Sequence, residues 1–227
     1  KEGFWPCQRP VKMINGNWIM AGFRVGVTDG SNRQPPAVAI SQCDNLKRWR
    51  VITIPAPPDD KQWGESAVWV QEKTVVNIAR NGKEPRALIS VSNDYGWTWS
   101  TARKSNLPMA ASKPFAGTLS NGQHFLIGST TADGGMRRSP LTIAVTRPRD
   151  HKLCRVFVIR RSVNPGPGES HPGAAMAYPY AVEHEGKLYV GYSNSGGGLG
   201  RTGNERELAN NNSAELAVIP IESLEVK

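Results

Sequence analysis

Four segments of this chain share one layout, and that repetition constrains its fold more than any single motif. Each holds a short apolar strand, a turn marked by glycine or a charged pair, a second apolar strand, a loop and a further strand. The first runs from Pro10 to Gly22, turning at Asn15-Gly16, and continues through PAVAIS (36–41), the turn QCDNLKRW (42–49) and VITIP (51–55). The second reads SAVWVQEKTVVNIAR from Ser66 to Arg80, then RALISVSNDYGWTWS from Arg86 to Ser100. The third starts at Pro114-Phe115, turns at Asn121-Gly122, and continues as HFLIGST (124–130), LTIAVT (141–146) and CRVFVIRR (154–161). The fourth joins Tyr178–Glu183 to KLYVGYS (187–193) across Glu185-Gly186 and closes with ELAVIPIESL (215–224). Short apolar runs bounded by turn residues are the signature of strands, and Asn-Gly between two of them is the strongest short-range hairpin signal. No helix of ordinary length is required; the weak candidate, Glu205–Ala209, lies in a Gly/Asn-rich loop.

The repeat interval of roughly 50–65 residues suits the four-stranded blades of a β-propeller. With 23 Gly, 17 Pro and seven Trp, the chain has the turn-rich composition of an all-β protein. We read residues 1–227 as one propeller domain with four blades visible, either a complete small propeller or one lacking blades; the number six is what the family resemblance given below implies. The chain begins at Lys1 without Met, which suggests a processed or partial product lacking N-terminal blades. No stretch approaches the roughly 20 apolar residues of a membrane span, and no leader pattern opens the chain. The net charge of +9 favours anionic partners. The Lys and Arg residues are scattered, however, and no basic run marks a nucleic-acid tail, so a solvated basic surface is the plain reading. Cys7, Cys43 and Cys154 are odd in number and lack CxxC spacing, which supports neither a disulfide framework nor a zinc site. His124, His151, His171 and His184 show no metal spacing, and the Gly-rich stretch 193–213, with Arg201 and Asn211, reads as a surface loop. No cofactor or metal is expected.

One turn is more specific. Ser92-Asn93-Asp94-Tyr95-Gly96-Trp97-Thr98-Trp99 has the pattern S-x-D-x-G-x-T-W. Asp94 can accept N–H bonds across the turn, and Gly96 supplies a positive φ. The pattern resembles the Asp box of sialidases and related propellers, and Ser41, Asp44 and Trp49 look like a degenerate copy. Such a box marks architecture and carries no chemistry. The resemblance extends over nearly the whole chain, which is similar to the C-terminal two-thirds of an exo-α-sialidase. It rests on Glu65 in GESAVWV, Arg80 in VVNIAR, Arg138 in RRSPLTIAV and Tyr178 in AMAYPYAVEHEGKLYVGYS, in the family's order.

The resemblance implies that Tyr178 is a nucleophile, Glu65 its base, and Arg80 and Arg138 two members of a carboxylate-binding arginine triad. Arg137 competes with Arg138 for that place. The residue types suit the chemistry. Sialic acid bears a carboxylate on its anomeric carbon, and arginine binds carboxylates with a permanently charged fork. A carboxylate nucleophile would be repelled there, whereas a neutral phenol is not, and sialidases use Tyr. With an ordinary pKa of about 10, Tyr needs an adjacent base. Each residue also has a structural reading. Glu65 suits a solvated turn, Arg80 a surface pair with Glu84, and Tyr178 or Tyr180 a core aromatic. The family's first triad arginine and its acid/base Asp have no counterpart here, and Arg9, Arg24 and Asp29 are not promoted to those roles. The expected partner is a sialylated or other acidic glycan, with no nucleic acid, at a secreted or periplasmic location. The rival readings are a non-catalytic propeller that binds acidic glycans, and a lyase or glycosidase for uronic-acid polysaccharides using a His or Tyr base, with His171 lying just before the Tyr178 blade.

Overall fold

The computed structural model describes residues 2–27, 34–56, 62–130, 138–162, 174–195 and 213–226. These form four antiparallel sheets arranged as the blades of a β-propeller. Blade one contains β1 (Gly3–Pro6), β2 (Val11–Lys12), β3 (Trp18–Val25), β4 (Pro36–Ser41) and β5 (Arg50–Thr53), ordered β1-β3-β4-β5 with β2 also on β3. Blade two is β6 (Gln62–Gln71), β7 (Thr74–Asn81), β8 (Arg86–Ser92) and β9 (Arg103–Pro108) in sequential order. Blade three is β10 (Phe115–Thr118), β11 (His124–Gly128), β12 (Leu141–Thr146) and β13 (Leu153–Arg160), and blade four is β14 (Met176–His184), β15 (Lys187–Asn194) and β16 (Ser213–Pro220).

Apolar clusters between neighbouring blades hold the propeller together. Ile19, Val38 and Ile40 of blade one meet Val68 and Val75 of blade two. Trp69 and Ile78 of blade two meet Leu126 and Ala144 of blade three. Phe115, Ile127 and Ile143 of blade three meet Met176, Leu188 and Val190 of blade four. The middle strands of blade three lie between two such clusters, which is why HFLIG and LTIAVT are buried along their whole length and read as apolar runs, not alternations. PAVAIS in blade one is buried as fully, with Val38 and Ile40 in the cluster shared with blade two. Gln8 ties the inner strands together: its Nε2 donates to Val68 O (2.8 Å) and Ala116 O (3.0 Å), and its Oε1 accepts Val68 N–H (2.7 Å). A second tie joins blades three and four, where Glu215 accepts from Tyr192 Oη (2.8 Å), Asn194 Nδ2 (2.7 Å) and Arg160 Nε (3.0 Å).

The fourth segment differs from expectation at its end. The strand stops at Pro220, whose ring cannot donate to a ladder. Ile221–Leu224 then form one 3-10 turn that buries Ile221 and Leu224 in the blade-four cluster. Among the described residues there is no longer helix, and none long and apolar enough to cross a membrane. Glu205–Ala209, Arg201, Asn211, His171, Asp29 and Arg137 lie outside the described residues.

The Ser92–Trp99 turn is closed by its own polar groups. Asp94 accepts Thr98 N–H (2.8 Å), Thr98 Oγ1 (2.6 Å) and Ser92 Oγ (2.8 Å), while Trp99 Nε1 donates to Gly96 O (2.8 Å). Burial opposes the Asp94 charge, but these donors outweigh it and hold the carboxyl below its ordinary value. In the related blade-one turn Trp49 Nε1 repeats the indole bond, to Leu46 O at 2.8 Å. Asp44 departs from the pattern and pairs with Lys12 (2.9 Å) and Trp18 Nε1 (3.1 Å).

Trp69, His124 and His151 stack between blades two and three, with successive ring centroids 5.5 and 5.4 Å apart. Trp69 Nε1 donates to His151 Nδ1 (3.2 Å), and His124 lies between Thr118 Oγ1 (2.9 Å) and Gln71 Oε1 (3.0 Å). Burial first, then the neighbouring His151, moves the His124 pKa down to about 4, with Asp150 pulling the other way. The unfolded chain therefore takes this proton first. His124 contributes its full stability above pH about 6.5 and loses it as pH falls toward 4, by up to about 3 kcal/mol. Thermal melts should show a midpoint that falls over this window, and His124→Gln should flatten that slope.

Candidate functional site

Glu65 and Tyr178 occupy corresponding places, each near the start of the first strand of its blade and each in a β-bulge. In blade two the β6–β7 register shifts between Gln62 and Ser66. Gly64 sits in that bulge at φ +70°, where an added Cβ would meet Gln34 O at 2.4 Å and Phe23 Cβ at 2.6 Å. Only glycine fits this backbone, and the kink directs the Glu65 side chain. In blade four the β14–β15 register shifts between Ala177 and Tyr180, and Tyr178 itself has φ +54°. A positive φ at a bulky residue is a strained backbone of the kind concentrated at functional sites.

Arg80, at the end of β7, does not pair with Glu84; that carboxylate is taken by Lys104 (2.7 Å). Arg80 Nη1 instead meets Glu65 Oε2 at 2.5 Å, with the Arg80 side chain 6% and the Glu65 side chain 17% exposed. The Trp63 ring lies 4.2 Å from the Arg80 guanidinium. Gly82 makes room for that indole, since a Cβ there would stand 2.2 Å from Trp63 Nε1. A cation packed on an indole and paired with a shielded carboxylate is held in one orientation.

Arg138 and Tyr178 form the other half of the site. Arg138 O accepts Met176 N–H (2.7 Å), fixing the chain before β12 to the start of β14. Its guanidinium lies 5.5 Å from the Tyr178 ring centre, and its Nη2 reaches Ala111 O at 3.4 Å. Tyr178 is 51% exposed. Tyr180, also exposed, parts from it: its ring packs on Phe115 with centroids 4.8 Å apart. The structure thus distinguishes two tyrosines that strand alternation leaves equivalent.

Lys113 lies against this second half, and the sequence reading missed it. It lies in the connection from β9 to β10, donates from Nζ to Pro179 O (3.3 Å) beside Tyr178, and has its charge 5.8 Å from the Phe115 ring centre. Burial holds its ammonium below the ordinary value, while Cys7 and Glu65 oppose that shift. The same burial pushes the Cys7 thiol up to about 11, which makes it a poor nucleophile. All three cysteines are free. The signal in the sequence was a lone lysine among small buried residues in AASKPF, which no motif distinguishes. The structure thus sets one cation–carboxylate pair, Arg80 with Glu65, at the start of β6 and one exposed phenol with two cations, Tyr178 with Arg138 and Lys113, at the start of β14. An anionic ligand meets favourable charge there. Among the described residues no three His, Cys, Asp or Glu side chains converge as metal ligands would.

Residues 6–190 match the model of the BNR repeat-like domain. The chain belongs to that family. Curated proteins yield no match to this BNR repeat-like domain. Among solved structures it is similar to the NanB sialidase of Streptococcus pneumoniae, at 14% identity and TM-score 0.64 over 97% of this chain. It is also similar to the sialidase of Trypanosoma rangeli, at 16% identity and TM-score 0.65 over 98%. A xylan β-1,4-xylosidase from Bacillus halodurans superposes at 14% identity and TM-score 0.56 over 95% of this chain and 40% of its own. The BNR repeat-like chain spans about a third of either sialidase, 32% in each case. These likenesses show the sialidase-type propeller and a fold shared by glycosidases.

Proposed function

We propose that this propeller belongs to a sialidase-like retaining exo-glycoside hydrolase that removes a terminal sialic acid or similar acidic sugar. The observation that carries this reading is the pairing of Glu65 with Arg80 and of Tyr178 with Arg138 in two bulges at corresponding places in blades two and four. In this reading Arg80 and Arg138 take the substrate carboxylate. Tyr178 Oη attacks the anomeric carbon and Glu65 receives its proton. Water then releases the sugar from the tyrosyl intermediate. The acid/base carboxyl and the remaining arginine of the triad would come from blades beyond these 227 residues. A secreted or periplasmic setting, where glycans are met, belongs to the same proposal. Hydrolysis of an aryl α-sialoside by the full-length protein tests it, and binding without turnover would defeat it.

One observation favours a second reading, a non-catalytic propeller that holds acidic glycans. The ion pair with Arg80 occupies the Glu65 carboxylate and engages one of the proposed carboxylate donors. That reading predicts sialoside binding with no release of aglycone.

Lys113 has its own expected result. Replacing it by Met removes a largely shielded cation near Tyr178 and the donor to Pro179 O. KM for the aryl sialoside should rise about tenfold, the equivalent of one charge-assisted hydrogen bond, with a smaller change in kcat. Lys113→Arg should recover part of the loss, which steady-state kinetics on both variants would show.

A further inference from the structure

A second cleft opens at the opposite end of the blades from Glu65 and Arg80. The hairpin between β6 and β7 turns at Glu72-Lys73, and Tyr95 N–H donates to Lys73 O at 2.9 Å, which places the Ser92–Trp99 turn at that end. Arg80 lies six residues from Thr74 along β7, about 20 Å at roughly 3.3 Å per residue. Here Gln42, Asn45, Arg48 and Trp49 of the turn between β4 and β5, with Arg50 at the start of β5, face Trp97 across a cleft of about 330 Å³. That volume is within the range of small-ligand sites.

Its chemistry is that of a saccharide subsite. The two indoles are half-buried, and Trp49 has its Nε1 proton committed to Leu46 O, leaving the ring as an apolar surface. The Arg50 guanidinium lies 5.5 Å from the Trp97 ring centre. Neither Arg48 nor Arg50 has an acidic partner among the described residues, although an aspartate is close by in sequence. That aspartate, Asp44, is occupied by Lys12 and Trp18, whose hydrogen bonds hold its carboxyl below the ordinary value. Propeller packing accounts for Trp97, which borders the cluster between blades one and two. It does not account for two uncompensated guanidinium groups beside an open aromatic cleft.

We propose that this cleft binds an anionic saccharide unit, independently of the reaction proposed for Tyr178. The C–H face of the sugar lies on Trp49 and Trp97, Arg48 and Arg50 take its carboxylate or sulfate, and the Gln42 and Asn45 amides take hydroxyls. Calorimetric titration of the full-length protein with 3′-sialyllactose, a sulfated chondroitin disaccharide and neutral lactose tests this. An acidic probe should bind, lactose should not, and the Arg48→Ala/Arg50→Ala double variant should lose about tenfold or more in affinity at this site. Arg138→Ala should leave that binding intact, which separates it from the Tyr178 region; the two acidic probes report whether carboxylate or sulfate is preferred. Equal binding by wild type and the double variant would overturn the proposal, as would no acidic probe binding or equal binding of lactose.

Discussion

Tyr178→Phe in the full-length protein is expected to lower turnover of an aryl sialoside by about a thousandfold or more while KM changes little. The change deletes one hydroxyl and leaves the ring that lies beside Arg138, so carboxylate binding and the fold should persist. The bulge that presents this residue argues the same way. A tyrosine held at φ +54° and half exposed is costly to the fold, and its ring is not needed to fill a core. Tyr180→Phe is the internal control. Its ring packs on Phe115, so its substitution should leave turnover within about twofold, in line with the small effects of changes outside a catalytic group. Steady-state kinetics with circular dichroism on both variants separates lost chemistry from lost structure.

Gly64→Ala carries the largest expected effect on stability. The new methyl meets the Gln34 carbonyl and the Phe23 side chain at distances that no Cβ tolerates, on a backbone that disfavours any L side chain. A cost of about 3 kcal/mol or more follows, equal to a fall of roughly 6–12 °C in melting temperature for a chain of this size. Relief of the clash must shift the kink that aims Glu65. Activity should therefore fall even below the melting transition, which distinguishes this variant from a merely destabilised one. Gly186→Ala offers a comparison, since its φ is also positive but nothing lies within 4 Å of an added Cβ. With no clash added, the backbone strain alone, about 1 kcal/mol, should lower its midpoint by roughly 2–4 °C, well short of the Gly64→Ala loss.

Much of the architecture was legible because the fully buried middle strands carry uninterrupted apolar runs. PAVAIS, HFLIG and LTIAVT stand out for that reason. Two edge strands did not. Arg103–Pro108 reads RKSNLP, mostly exposed and without apolar alternation, and Gly3–Pro6 pairs only along one edge of blade one, so neither announces a strand. At the site, the order Glu65, Arg80, Arg138, Tyr178 was visible through family resemblance. Its contacts were not, because a β-bulge changes which way a side chain points without leaving a period in the sequence. Arg80 was given Glu84 as an alternative partner on local spacing, and a tertiary contact with Glu65 prevailed. Lys113 escaped notice because its importance comes from where the connection between β9 and β10 crosses, beside Pro179. The cleft at Trp49 and Trp97 likewise joins turns of two blades that sequence places about 50 residues apart, as propeller geometry dictates.

The most direct test of the central claim is to trap the covalent intermediate. Full-length protein should be incubated with a 3-fluorosialosyl fluoride, whose ring fluorine slows hydrolysis of the intermediate, and the modified peptide located by mass spectrometry. The account predicts one added sugar on the peptide containing Tyr178, absent in Tyr178→Phe. Turnover without a tyrosine adduct, or an adduct on any other residue, would contradict it.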